Sequence, residues 1–265
     1  MLTGTSLVFD IETVPDVESG RRLYDLENLN DDDVARAMRT LRIQKTGGTD
    51  FLPHSQHRIV AISAVLRSPE KLKVWSLGSV ESTERELLER FFDGIERFRP
   101  VLISWNGSGF DLPVIHYRSL KHGVSAPLYW ESGDGIRDFR YNNYLNRYHS
   151  RHLDLMDVLA GYQPRAFSSL DGIAVMLGLP GKMGMSGSKV WDFFQAGKIG
   201  EIRAYCETDV LNTYLIFLQF EKIRGALDDS GFEHEARRLA ELLGSSTEAH
   251  LAEFLGQWRA APSAR

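Results

Sequence analysis

Apolar residues in the first part of the chain come in short runs, and further along they recur mostly at helical spacing. "LVFDIET" at 7–13 reads as a strand, "RIVAISAVL" at 58–66 as a second and "LKVWSL" at 72–77 as a third, most simply joined as a meander. "STERELLERFFDGIERF" opens on a capping Ser82 or Thr83 and predicts a helix, after which "PVLISWN" returns to strand. Helices are expected over 111–122, over 168–178 with Ser168 at its start and Asp171 three residues on, and over about 198–227. Between them, "RHLDLMDVL" at 151–159 reads as a fifth strand leading into a helix. Residues 16–57 are polar and acid-rich around "ENLNDDDVARAMRT" and loosened by "KTGGTD", which predicts a surface insertion with one short helix and a flexible tip. The stretch from 231 to 260 reads as one or two amphipathic helices covering the core. Strands mixed with helices, then a helical end, predict an α/β sheet with helices packed on it.

A chain of 265 residues holds one sizeable domain or two small ones, and a single mixed α/β domain is expected. No apolar run approaches the roughly 18 residues that would span a bilayer. The opening "MLTGTSLVFDIET" lacks the basic start of a signal peptide, so a cytoplasmic protein without membrane partners is expected. The one cysteine, Cys206, excludes intramolecular disulfides and multi-cysteine zinc sites, and no nearby His activates it as a nucleophile. A net charge of −5 decides little, because acids at a metal site and bases along a substrate groove cancel in the sum.

The local placement of acids is more informative. Asp10 and Glu12 lie two apart on the first strand and share a face, opposite Phe9 and Ile11. Buried acids cost several kcal/mol unless paired or metal-bound, so either a cation sits there or the acids lie at an open edge. In "LISWNGSGFDLPVI" at 102–115, two glycines permit a tight turn after Asn106, and Asp111 stands before Leu112 and Pro113, where an ordinary helix N-cap is the simplest reading. In "AYCETDVLNTY" at 204–214, Tyr205 and Asp209 lie one turn apart on one helix face, while Glu207 and Thr208 point elsewhere. Four carboxylates without a His or Cys cluster suit Mg²⁺ or Mn²⁺. Two such ions roughly 3.5–4 Å apart can clamp the attacking water and the leaving oxygen of a phosphodiester.

These three stretches, "DIET", "WNGSGFDLP" and "YCETD", resemble the exonuclease motifs of the DEDD superfamily. The likeness is to its tyrosine branch, nearest to the 3′→5′ proofreading domain of B-family DNA polymerases and its predicted stand-alone bacterial relatives. The other branch carries a His five residues before the last Asp, where this chain has Ala204. The resemblance covers roughly residues 7–214 and implies a ribonuclease H-like fold, with a mixed central sheet flanked by helices, and two-metal phosphodiester hydrolysis. It implies that Asp10 bridges two Mg²⁺ or Mn²⁺ ions, that Glu12 and Asp209 complete the site of the ion activating water, and that Asp111 helps hold the second, partly through water. By the same resemblance Tyr205 positions the attacking water; with a phenol pKa near 10 it is a poor base at neutral pH. The chain has no room for a polymerase palm, so action alone or proofreading in trans is expected. The domain reading is a catalytic unit over 1–230, interrupted by the 16–57 insertion, and a helical C-terminal extension over 231–265.

Candidate substrate contacts are Asn106 and Phe110 of the second motif, Arg147, and Lys182 and Lys189 of a Gly-rich loop. In "IRDFRYNNYLNRYHSRH" at 136–152, arginines interleave with tyrosines, either to hold phosphates and stack bases or as a solvated hairpin or helix whose tyrosines pack on the core. Asp154, beside His152, is expected to cap the helix that follows it. The expected substrate is single-stranded nucleic acid, DNA favoured over RNA. Alternatives are an exoribonuclease or short-oligonucleotide scavenger using the same site, and a non-catalytic nucleic-acid-binding module.

Overall fold

A computed structural model describes residue 2 and residues 4–260; residues 1, 3 and 261–265, at the ends of the expected domain and tail, lie outside it. Among the described residues, five strands form one sheet: β1 (Ser6–Pro15), β2 (His57–Arg67), β3 (Leu72–Ser76), β4 (Val101–Ser104) and β5 (His152–Asp154). Their order is β3-β2-β1-β4-β5. The first three run antiparallel as a meander, and β4 and β5 lie parallel to β1. The helices are α1 (Val17–Tyr24), α2 (Asp31–Thr46), α3 (Glu84–Phe98), α4 (Asp111–His122), α5 (Leu155–Leu159), α6 (Leu170–Met176), α7 (Val190–Gln195), α8 (Ile199–Ile223), α9 (Asp229–Gly244) and α10 (Ala249–Ala260). This is the α/β, ribonuclease H-like arrangement that the sequence predicts.

The period-2 alternation of β1 decides what each face of the sheet carries. Leu7, Phe9 and Ile11 enter a core built with Leu88, Phe91 and Phe92 of α3 and Val114 and Ile115 of α4. Val8 faces the other way, into a core shared with Val210, Leu211 and Tyr214 of α8, Leu239 and Leu243 of α9 and Phe254 of α10. Asp10 and Glu12 continue the Val8 side, so both acids point towards the α8 layer. The two C-terminal helices thus cover the core as predicted. The first of them, α9, is also fastened to the sheet by a buried ion pair between its Glu235 and Arg67 of β2, and the Tyr214 hydroxyl donates to the same Glu235 at 3.2 Å. Thr83 and Glu86 close a reciprocal capping box at the start of α3.

Two expectations are corrected. The 16–57 segment holds two helices rather than one, because the acid-rich stretch hides a buried stripe of Val34, Ala35 and Met38 on α2. A cap at Asn30 starts α2, and Gly47 ends it in the left-handed conformation. The cap of α6 is Ser169, which accepts from Gly172 N, and not Ser168. Ser168 instead uses its carbonyl to accept from the Trp105 indole at 3.2 Å.

Candidate active site

β4 pairs with β1 only from Ser6 to Val8, so the β1 edge beyond Val8 has no strand partner on that side. Asp111 fills the gap: its Oδ1 accepts from the Ile11 amide at 3.1 Å. This overturns the N-cap reading of Asp111, since α4 begins at Asp111 itself and its cap residue, Phe110, makes no side-chain capping bond. The carboxyl reaches across the end of the sheet to the backbone between Asp10 and Glu12.

The turn that aims Asp111 is built from "NGSG". Asn106 adopts a positive φ of 63°, which Asn tolerates better than most residues, and accepts from Gly109 N and Phe110 N. A Cβ at Gly107 would collide with the Ser104 side chain, which is already hydrogen-bonded to His152, so only glycine fits this approach. Asp154 holds the turn from below: it accepts from Asn106 N at 2.9 Å and Ser108 N at 2.8 Å while also capping α5. The sequence signalled only the cap.

On α8, Tyr205 and Asp209 lie one turn apart, facing β1. Cys206, between them in sequence, also faces β1; its thiol donates to the Asp10 carbonyl at 3.4 Å and lies 3.6 Å from Oδ2 of the same residue. Donor atoms of Asp10, Glu12 and Cys206 all fall within 4.8 Å of one another. Sequence reasoning missed the thiol, because it looked for a nucleophile with a His partner and not for a neighbour of an acid.

The electrostatics show four acids crowded together. Burial, then Asp111, Glu12 and Asp209, push the Asp10 carboxyl well above its ordinary range. Burial, then Asp209 and Asp111, do the same to Glu12. Asp111 is pushed up to about 7, chiefly by burial. Asp209 is pushed up to about 6 by burial, against the opposing pull of the Tyr205 hydroxyl and Lys182. Burial, then Asp209 and Glu12, raise Tyr205 as well, so its hydroxyl keeps its proton. Buried carboxylates that repel one another and accept few hydrogen bonds fit a divalent cation, and an oxygen-dominated donor set fits Mg²⁺ or Mn²⁺.

The substrate-contact candidates divide. Lys182 lines a cavity with Asp171, Asp209 and Asn212, and its ammonium lowers both Glu12 and Asp209. Its backbone is fixed there because Lys182 N donates to Asp171 at 2.8 Å and Asn212 of α8 clamps Gly181 through both backbone groups. Lys189 is exposed and makes no ion pair among the described residues. Phe110 packs its ring 5.5 Å from Phe51 and 5.1 Å from His57. Asn106 lines a cavity of about 370 Å³ behind the turn. Arg147 lines the same cavity, where it pairs bidentately with Asp157 at 2.7 and 2.6 Å; it does not join the carboxylates. The 136–152 stretch is turns and one short 3₁₀ helix at Arg137–Arg140, not a hairpin. Tyr144 packs in the core and donates to the Pro100 carbonyl, whereas Tyr141 and Tyr148 remain exposed.

A mixed sheet with acids gathered at the end of its central strands, across from a helix bearing a Tyr and an Asp one turn apart, is the arrangement of a ribonuclease H-like fold. The chain belongs to the family described as predicted 3′-5′ exonuclease related to the exonuclease domain of PolB, which matches residues 49–258. Asp111, Tyr205 and Asp209 lie inside that span; Asp10 and Glu12 precede it. A stretch of 39 residues is 51% identical to DNA polymerase 1 of Sulfurisphaera ohwakuensis, covering 15% of this chain and 4% of that protein. A stretch of 42 residues is 50% identical to DNA polymerase 1 of Saccharolobus solfataricus, covering 16% of this chain and 5% of that protein. Among the described residues, no helix is long and apolar enough to cross a membrane.

Proposed function

We propose that this protein is a divalent-metal-dependent exonuclease that removes nucleotides from the 3′ end of single-stranded DNA. The observation that carries the reading is the meeting of Asp10, Glu12, Asp111 and Asp209, from three separated segments, around one buried edge of β1. In this reading those four carboxylates hold two Mg²⁺ or Mn²⁺ ions. Bound there, the ions would neutralise the diester's charge and acidify water. The chain's own groups do the rest. Tyr205, protonated throughout the physiological range, orients the attacking water as a hydrogen-bond partner and takes no proton from it. Lys182 offers its ammonium to the phosphate from the Glu12–Asp209 side. Asp154 positions the Asn106–Ser108 turn, and with it Asp111. Residues 1–230 form the catalytic unit, and residues 231–265 its extension; the core that α9 and α10 share with β1 and α8 supports treating them as one body.

The test is digestion of a 5′-labelled strand with Mg²⁺ or Mn²⁺, with matched DNA and RNA side by side. A ladder shortening from the 3′ end of DNA is expected; no digestion of either strand rejects the reading, and a strong RNA preference rejects the substrate. Tyr205→Phe removes one hydrogen bond to the attacking water, about 1.5–3 kcal/mol. It should lower kcat by about 10–10² while calorimetric Mn²⁺ affinity holds; loss of both would return Tyr205 to a packing role.

A further inference from the structure

We propose that the segment between β1 and β2 is a strand-gripping wall of this active site, binding a phosphate through Arg39 and a base through Phe51. The proposal rests on the nuclease reading above. It starts from where α2 lies: Ala35 belongs to the buried cluster that also holds Val14, Ala61 and Cys206, the thiol neighbour of Asp10. Arg39 and Arg42 stand four and seven residues further on, so they prolong that same face of the helix. Arg39 is partly exposed and makes no hydrogen bond or ion pair among the described residues, unlike Arg36, which Asp32 and Asp33 neutralise. Arg42 donates to the Phe51 carbonyl at 2.9 Å, and Thr49 Oγ1 accepts from the Phe51 amide at 3.1 Å, so the backbone of Phe51 is held on both sides.

Phe51 is nevertheless half exposed, 50% of the residue's surface being open, although its ring also packs 5.2 Å from His57 and 6.4 Å from His54. It lies 5.5 Å from Phe110, the residue next to Asp111. The segment is tied to the Asp111 turn at one point and to α7 at another. His54 Nε2 donates to the Gly109 carbonyl at 2.8 Å, and the Trp191 indole of α7 donates to Asp32 at 3.0 Å. A half-exposed aromatic residue and an unpaired guanidinium on one pre-fixed wall suit a single strand: arginine neutralises the backbone, and the open part of the ring stacks a base without reading it.

Binding of a short 5′-fluorescein oligo(dT) with 3′-terminal phosphorothioate linkages, read by anisotropy against salt, tests this directly. Phe51→Ala should weaken binding about tenfold, and Phe51→Tyr should restore it. Arg39→Ala should lower the slope of log affinity against log salt by about 0.7, one phosphate on a single strand. Calorimetric Mn²⁺ binding at wild-type strength checks that both variants are folded. Wild-type affinity and slope in both variants, or failure of Phe51→Tyr to rescue, would overturn the wall. A wild type that binds the strand but digests no diester would sink the nuclease reading and leave the wall to be judged on these same binding data.

Discussion

Replacing Asp10 by Ala is expected to lower exonuclease turnover by about 10²–10³-fold, the scale on which loss of a pre-organised charge-stabilising group falls. Asp10 is the acid on which the others converge: Asp111, Glu12 and Asp209 each raise its pKa. The same substitution should raise the melting temperature of the metal-free protein, because it removes a carboxyl whose charged form burial, Asp111, Glu12 and Asp209 all disfavour. That pairing of lost activity with gained stability separates a functional acid from a structural one. Asp10→Asn tests the point at nearly constant shape and keeps an oxygen near the Cys206 thiol. Gel assays of a 5′-labelled strand and scanning calorimetry give both readouts. An Asp10→Ala protein that digests like wild type, or that melts lower without metal, would show the cluster to be something else.

How far the site could be read from sequence depended on how local each signal was. Asp10 and Glu12 were legible because strand alternation alone puts them on one face, and Val8 confirms which layer that face meets. Tyr205 and Asp209 were legible as a helical pair for the same reason at period 3.6. Asp111 was ambiguous, since an acid before Leu-Pro at a helix start satisfies capping rules. Only the pairing of β1 with β4, which stops at Val8, exposes the Ile11 amide that Asp111 takes. The Asp154 cap was legible, but its hold on the Asn106–Ser108 turn and the contact of Cys206 with Asp10 were not, because those partners lie 48 and 196 residues away. Within its own segment each looks like a helix filler or a cap. In residues 16–57, the charges of α2 outnumber its three buried residues, so the period-3.6 signal was diluted and one helix was missed.

The metal-free protein should become more stable on mild acidification at this site, and added Mn²⁺ should reverse that dependence. In the unfolded chain aspartates titrate near 4. In the fold Asp111 is pushed up to about 7 and Asp209 to about 6, so between about pH 4 and those values the folded state holds protons the unfolded chain has released. Their contribution to stability therefore falls as pH rises towards 7. A cation takes the place of those protons, so the melting shift it produces should shrink as pH falls through about 7, where Asp111 gains its proton, and then about 6, where Asp209 does. At about a hundredfold above its Kd the ion adds about 2.7 kcal/mol. For a chain of this size that is about 5–10 °C. His57, His116 and His152, each lowered to about 4 by burial, act in the opposite sense, losing stability as pH falls through their unfolded range. They are present with and without metal, so the difference between the two melting curves removes them. Calorimetry with and without Mn²⁺ from about pH 8 to about pH 5 reads that difference, and a shift that stays constant across the range would mean that the ion is held somewhere other than on these carboxylates.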